Sequence, residues 1–493
     1  QVDLFFLAGV NQLLFHGTCF SPKDAPWPGW FFYASIHVDW RNAFWRDVPV
    51  LTRYVARCQS VLQAGEHAND VLVYWPIHDL WMNPKGLTIP LTVHQHDWME
   101  KQPVGDLARF LSGRGFAFDF ISDRLLRDLA VREGLIQAPG GTYRAVVVPA
   151  CTYMPDETLQ QLVRFLEAGA TVVFEEKLPD DVPGLSHLED RRARFGQLRA
   201  RIPPRMVLPR QQVESALVEK GVLRESMAEL GLRFVRRKVG NDYWYFIANH
   251  TEKPVDNWVP IAAPCGGATL FDPMNGQSGT LAFRQRNDSA EIYLQLDPGC
   301  SVFVRAEPLP RSGVPWPYFR QAGDGVPLTG TWSIEFIDGG PAIPSSYRSE
   351  QLSSWTDAPD EKAQAFAGTA RYTLEFSCPA IAAEDWLLDL GDVRESARVR
   401  LNGEDLGTLV ALPFRIRLGK ALHEGTNRLE IEVTNLSANR IRDLDLRKVD
   451  WKIMKDINIV TVNYQPFDAS RWPIEKSGLL GPVRLIPLRQ VAP

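Results

Sequence analysis

The chain has 493 residues, 45% of them hydrophobic and 23% charged, with a formal net charge of -5; a single core rarely grows that large, so about three or four domains are expected. The charge balance gives no electrostatic footprint for nucleic acid, and no run of about 18 apolar residues offers a membrane span. The 6 cysteines include no C-x-x-C pair, which argues against zinc sites and thioredoxin-like chemistry, and they are too few for a disulfide framework. The 15 Trp, 12 Tyr and 25 Phe suit a protein that stacks rings on sugars, and equally one that buries aromatics in β-sandwiches.

The first residue is Gln1, with no charged n-region, apolar h-region and cleavage site after it, so the chain is expected to begin inside something longer. Residues 1–20 read as a helix end followed by a short buried strand over 11–18. If that strand belongs to a β/α barrel, His16 and Thr18 stand at its C-terminal end, where barrel strands face the active site. Next comes a loop over 21–45 dense in Pro and Trp. It carries Trp27, Trp30, Tyr33, Trp40 and Trp45, with His37, Asp39, Arg41 and Asn42 between them. Long loops on a rigid scaffold commonly carry function. Leu51, Val55, Cys58 and Leu62 then mark a helix over 48–64, and Gly65 ends it.

Residues 69–212 alternate strand and helix. Strands are expected over 71–76, 116–121, 143–149 and 171–174, with helices near 105–112, 124–132 and 156–168. Such alternation predicts a parallel sheet of flavodoxin-like type. The unit has no G-x-G-x-x-G and no P-loop, so it reads as structural rather than nucleotide-binding. Glu175 and Glu176 follow a parallel strand and invite a catalytic role; a solvated strand end is the plainer expectation.

Residues 213–310 read as a β-sandwich of short strands between Gly- and Asn-rich turns. A Pro/Gly-rich stretch over 307–330 reads as a linker. Residues 326–493 read as a jelly roll, with Asn402-Gly403 as the strongest local hairpin signal. Asp389, Asp392 and Glu395 sit near one turn, where calcium competes with a plain charged turn. Trp355, Trp386, Trp451 and Trp472 are candidates for a sugar-binding surface, against the alternative of core aromatics. Arg442, Asp443, Asp445 and Arg447 read as a solvated charge run.

Several of these blocks carry a resemblance. Gln12-Leu13-Leu14-Phe15-His16-Gly17-Thr18, Trp27-Pro28-Gly29-Trp30, Ala56-Arg57-Cys58-Gln59-Ser60 and Asp70-Val71-Leu72-Val73-Tyr74-Trp75-Pro76 resemble glycoside hydrolase family 106, the α-L-rhamnosidases. Leu388-Asp389-Leu390-Gly391, Val399-Arg400-Leu401-Asn402-Gly403 and Ser477-Gly478-Leu479-Leu480-Gly481-Pro482-Val483 are similar to the galactose-binding-like β-sandwich of family 2 glycosidases. The resemblance implies that residues 1–68 are the C-terminal part of a β/α barrel catalytic domain. It implies inverting, calcium-assisted hydrolysis of terminal α-L-rhamnosides, in which one carboxylic acid protonates the leaving oxygen and a second carboxylate activates water. In the family those carboxylates lie on strands before the His-Gly-Thr strand, so they are expected upstream of Gln1. His16, Thr18, Trp27, Trp30, Trp40 and Asn42 are then the expected sugar-binding residues. Such enzymes are usually exported, which makes a bacterial periplasmic or extracellular location the expectation. The rival readings are a non-catalytic carbohydrate-binding or scaffolding chain and a fragment of a β-galactosidase-like glycosidase. Oligomeric state is not legible.

Overall fold

A computed structural model describes residues 1–16, 19–32, 35–92, 95–286, 289–452 and 465–493. The chain folds into a mixed α/β unit and two β-rich units, with its first 68 residues packed against them.

The α/β unit is built on five parallel strands. Phe118–Ile121, Val71–Tyr74, Ala145–Val148, Thr171–Glu175 and Val207–Leu208 lie side by side in that order. In chain order this is 2-1-3-4-5, the order of flavodoxin-like sheets. Strands buried on both faces must be apolar throughout, and here alternate residues feed two separate cores. Leu72, Tyr74, Val146, Val148, Val172 and Phe174 face the helices Asp156–Glu167 and Leu188–Ala200. Val71, Val73, Ala145, Val147 and Val173 face Pro103–Gly113 and Arg210–Glu219. Each fully buried aliphatic side chain contributes roughly 1.5–3 kcal/mol, so this double burial supplies most of the unit's stability. The helix expected over 124–132 stops early. Only Asp123–Arg127 is helical, and Ala130–Arg132, Leu135–Ala138 and Gly141–Tyr143 form a small antiparallel sheet. Glu133 and Gly134, both at positive φ (53° and 74°), make its first turn, as a two-residue hairpin of matching twist requires.

The first β-rich unit has two antiparallel sheets over one core. One runs Glu66–His67, Leu232–Val239, Asp242–Asn249, Ser301–Glu307, Gly267–Phe271, Ser278–Thr280; the other runs Val255–Ile261, Ser289–Leu296, Phe283–Arg286. Tyr245, Ile247, Ile292, Leu294 and Val304 meet between them. The outer face of the larger sheet is covered by the first 68 residues. Phe6, Tyr54, Val55, Cys58 and Leu62 from the helices Val2–Leu7 and Val48–Leu62 pack on Phe246, Ala248 and Phe303. Gly65 then lets the chain join the sheet. Its φ is +61°, and a Cβ there would stand 2.0 Å from the Lys238 carbonyl oxygen. Where the α/β unit meets this sandwich, the Arg236 guanidinium is fully buried between Asp70 (2.6 Å) and Glu225 (2.7 Å) and also donates to the Ala68 carbonyl. The Tyr245 hydroxyl and the Ala262 amide complete Glu225.

The strand expected over 11–18 does not form in its described part. Residues 11–16 have no regular structure, Leu14 is 91% exposed, and Phe15 is exposed too. A parallel strand exists only between ladder partners, and none of the strands present pairs with this segment.

The C-terminal unit also has two principal sheets. Tyr347–Ser349, Trp332–Gly340, Ala367–Ser377, Thr426–Thr434, Ser396–Leu401 and Glu404–Leu409 form one; Tyr318–Gln321, Arg484–Val491, Asp385–Asp389 and Arg415–Arg417 form the other. Trp332, Trp355, Phe366, Tyr372, Leu388 and Ile431 fill the space between. Asn402 and Gly403, at φ 54° and 85°, turn Ser396–Leu401 into Glu404–Leu409. The stretch expected as a linker is partly sheet, because Tyr318–Gln321 and Val326–Pro327 both pair with Arg484–Val491. Pro and Gly are compatible with strands at a sheet edge.

Candidate functional site

The Trp-rich loop runs across the molecule to the C-terminal unit and is fastened there. Its anchor is Asp47, at the start of the helix Val48–Leu62. The Asp47 carboxylate is 4% exposed; it accepts from the Arg398 guanidinium at 2.5 Å and from the Ser396 hydroxyl at 2.5 Å. Beside it, Arg46 pairs with Glu432 at 3.2 Å, and Arg371 pairs with the same carboxylate at 2.9 Å. Burial pushes the Glu432 carboxyl up, but Arg371, Arg46 and Arg398 outweigh it and hold it below the usual carboxylate range.

Further along, the loop inserts aromatics into a pocket of the same unit. Phe31 and Trp27 pack on Ile441, Leu444, Trp451 and Ala469, with Phe31 edge-on to Trp451 at 5.6 Å. Asp445 organises the floor of this cluster. It accepts from Trp451 Nε1 (2.7 Å), the Ala469 amide (2.7 Å) and Lys452 Nζ (2.8 Å). Asp445 was expected in a solvated charge run; the three donors it fixes explain its burial. The exposed Arg447 pairs with the half-buried Asp443, while Arg442 donates to the Trp472 carbonyl at 2.7 Å.

Each expected sugar contact has a definite place, except Thr18, which lies outside the described residues. His16 is exposed, edge-on to Phe32 at 6.1 Å. Trp27 is half-buried; its indole N–H donates to the Arg41 carbonyl at 2.9 Å, and one ring face lies under the Arg440 guanidinium at 3.9 Å. The Trp30 amide donates to the Ser21 hydroxyl at 2.9 Å. Trp40 is 65% exposed, with the Arg41 guanidinium stacked on it at 4.2 Å. Asn42 works on backbone, accepting from the Phe44 amide and donating to the His37 carbonyl at 3.1 Å. Asp39 accepts from the Arg41 amide at 2.7 Å. His37 lies against Phe31 at 3.9 Å, and burial lowers its imidazole pKa against the pull of Asp39. Trp27, Trp30 and Asn42 are therefore partly engaged in holding the loop, while His16 and Trp40 keep open faces.

The remaining sites resolve as follows. Glu175 is buried and ion-paired with Arg210, and Glu176 accepts the Arg210 amide at 2.9 Å. The expected solvated strand end is corrected for Glu175, because the fifth strand and the helix after it cover that edge. Trp355, Trp386 and Trp451 are buried, as core aromatics would be; of the four tryptophans weighed as a sugar-binding surface, only Trp472 is exposed. At the turn where calcium was weighed against a plain charged turn, two of the three carboxylates have partners, and burial pushes the Glu395 carboxyl up. Asp389 accepts from Arg415 (2.8 Å) and the Gly391 amide, and Asp392 pairs with Arg394. Among the described residues, no three His, Cys, Asp or Glu side chains gather as a metal site. Among the described residues the cysteines are free thiols, and burial pushes Cys58 and Cys300 up to about 12. Sequence reasoning missed Asp47 and Arg440. Asp47 stands at a helix start, a weak signal; nothing in the sequence marks Arg440.

Apart from the exposed Asp24, the carboxylates near the loop are committed elsewhere. Asp47 is clamped, Asp39 holds a turn, and Asp3 accepts from the Tyr54 hydroxyl. Among its described residues the loop thus offers aromatic faces and hydrogen-bonding groups but no pair of free carboxylates of the kind inverting hydrolysis needs.

Comparison with known proteins points one way. The family model for alpha-L-rhamnosidase of glycoside hydrolase family 106 matches residues 1–285. The solved structure of a rhamnosidase from Novosphingobium sp. PP1Y has the same fold, with a TM-score of 0.73 at 24% identity over 99% of this chain and 45% of that one. A protein named putative beta-glucuronidase from Formosa agariphila is 34% identical over 179 residues, 32% of this chain and 15% of its own length. The chain thus spans less than half the length of either protein. The match over more than half of its residues settles its kinship: the chain belongs to the α-L-rhamnosidases of glycoside hydrolase family 106.

Proposed function

We propose that the protein containing this chain hydrolyses terminal α-L-rhamnosides with inversion, and that residues 1–68 complete the rim of its β/α barrel. The observation that carries this reading is the family match, which begins at residue 1 and takes in the whole Trp-rich loop. On this reading the loop supplies the wall of the sugar pocket. His16 and the open face of Trp40 meet the substrate, the indole against the apolar, methyl-bearing side of rhamnose. The acid and base come from other barrel strands, and the C-terminal unit, read as a galactose-binding-like jelly roll, holds the loop in place. The reaction is single displacement. A carboxylic acid gives its proton to the glycosidic oxygen while a carboxylate takes one from the attacking water on the opposite ring face.

The test is the natural gene product that contains this chain, assayed on an aryl α-L-rhamnoside with the product anomer followed by NMR. Inversion releases β-L-rhamnose first; absence of turnover, or α-L-rhamnose first, overturns the reading. In the same protein His16→Ala should lower kcat/KM at least about tenfold, about 1.4 kcal/mol of transition-state binding, while its melting temperature holds. An unchanged kcat/KM removes His16 from the pocket.

A further inference from the structure

Among the described residues Arg440 is a cation with no ion-pair partner. It sits in the helix Ala438–Leu446 of the C-terminal unit, between the Trp-rich loop and the strand Trp332–Gly340. Its guanidinium is stacked at 3.9 Å on the Trp27 ring. It also lies against the Gly340 backbone: a Cβ on Gly340 would stand 2.7, 2.9 and 3.0 Å from Nη1, Cζ and Nη2. The Trp27 ring and the Gly340 backbone together hold the group in place. Its neighbours in the helix are satisfied, Arg442 by the Trp472 carbonyl and Arg447 by Asp443. Among the described residues Arg440 makes neither a hydrogen bond nor an ion pair; Asp443 acts on it only at a distance. Its nitrogens are not among the buried polar atoms lacking partners, so their N–H edge meets water. Burial brings its pKa down to about 10 despite Asp443. A half-desolvated charge left unpaired is unfavourable, and such groups mark sites where a ligand brings the missing charge. With the Trp27 ring stacked on it, the guanidinium keeps an in-plane fork of donors that matches the two oxygens of a planar or tetrahedral anion.

We propose that Arg440, fixed between Trp27 and Gly340, is a specificity-determining residue that recognises an anionic group, the carboxylate of a uronic acid or a sulfate ester, on the sugar joined to the rhamnose. This rests on the reading that the Trp-rich loop borders the sugar pocket. It narrows the substrate class to acidic saccharides, with the anion held bidentately beside the Trp27 ring. Stacking makes the site selective for geometry as well as charge. A lysine at 440 would keep the charge and lose both the fork and the stack.

Binding can be read on the 493-residue chain without turnover, by isothermal titration and saturation-transfer NMR at low ionic strength. The probes are sodium D-glucuronate, D-glucose 6-sulfate and D-glucose. At least one anion should bind in the millimolar range, with glucose at least about tenfold weaker. Arg440→Gln should abolish the difference, and Arg440→Lys should restore only part of it. Preference for glucuronate assigns a carboxylate, and preference for the sulfate ester assigns a sulfate. The proposal is overturned if neither anion saturates below about 50 mM, if glucose binds as well, or if correctly folded Arg440→Gln binds the anions unchanged. Hydrolysis of an uncharged aryl α-L-rhamnoside does not involve Arg440. Anion binding without that hydrolysis therefore defeats the rhamnosidase reading alone, and hydrolysis without anion binding defeats the Arg440 proposal alone.

Discussion

Replacing Asp47 by Ala should release the Trp-rich loop from the C-terminal unit. The Asp47 carboxylate is 4% exposed and Arg398 20% exposed, and the Ser396 hydroxyl binds the second carboxylate oxygen. Removing one partner of such a buried pair generally costs about 3–5 kcal/mol, because the other charge is left stranded. Here Glu432 stands 3.8 Å from Arg398 and takes up part of the freed charge, so the lower figure applies. About 3 kcal/mol raises the open population by roughly 100-fold. Hydrogen exchange followed by mass spectrometry reads that population directly, since amides exchange through local opening. Peptides covering 38–50 should lose roughly 100-fold of protection in Asp47→Ala, while those covering 145–175 in the α/β unit stay unchanged. A double-mutant cycle with Arg398→Ala should give at least about 1.5 kcal/mol of coupling. A change below about fivefold, or additive single effects, would refute the clamp.

Other outcomes follow from the packing. Gly65→Ala must displace the Lys238 carbonyl and adopt a strained positive φ, so it should destabilise the sandwich by at least about 1–3 kcal/mol, seen as a lower urea midpoint. Asp123 accepts from the Tyr74 and Thr158 hydroxyls and from His78. Burial pushes its carboxyl up, but those bonds, His78 foremost, win and leave it below the ordinary value. A depressed carboxylate gives stability that is present above its unfolded value near pH 4 and lost as pH falls through the lower folded value. The stability gap between wild type and Asp123→Asn should therefore be steady from about pH 5 to 8 and shrink below about pH 4; a gap that widens in acid would contradict this. Residues 316–493 expressed alone should melt cooperatively, and the piece 329–493, which lacks Tyr318–Gln321 and Val326–Pro327, should melt at lower temperature. Equal melting would mean those strands add nothing.

How much was legible depended on where the information lay. Val146, Val147 and Val148 announced a doubly buried strand because local composition alone demands it, and Leu159, Leu162 and Val163 marked their helix by period. Asn402-Gly403 marked its turn because only residues tolerant of positive φ fit there. The 11–18 segment misled because its apolar run is real but its ladder partners are not among the strands present. The hairpin at Glu133-Gly134 was hidden under a helix-like run, although Gly134 was the cue. Trp355 and Trp386 turned out to be core because a sheet pair needs large fillers, a need composition cannot distinguish from a sugar platform. Asp47 and Arg440 were hardly legible: their partners Arg398 and Trp27 lie hundreds of residues away, and only the helix start at Asp47 gave a local hint.

The strand Glu66–His67 lies beside Leu232–Val239, and Gly65 brings the chain into that pairing. The whole α/β unit therefore leaves the sandwich from one strand and returns to the next, the exit at His67 lying beside Arg237 of the strand that begins at Leu232. It is a doubly tethered insert, not a bead on a string. A single linker would let the unit pivot; two adjacent tethers, locked by Arg236 between Asp70 and Glu225, leave no free axis to swing about. Every strand of the sandwich except Glu66–His67 follows the insert in the chain, the inner strand Ser301–Glu307 last, so the insert is free to fold before its host sheet exists. The return segment belongs to both units, since Glu225 holds Arg236 and Met227 lies in the sandwich core.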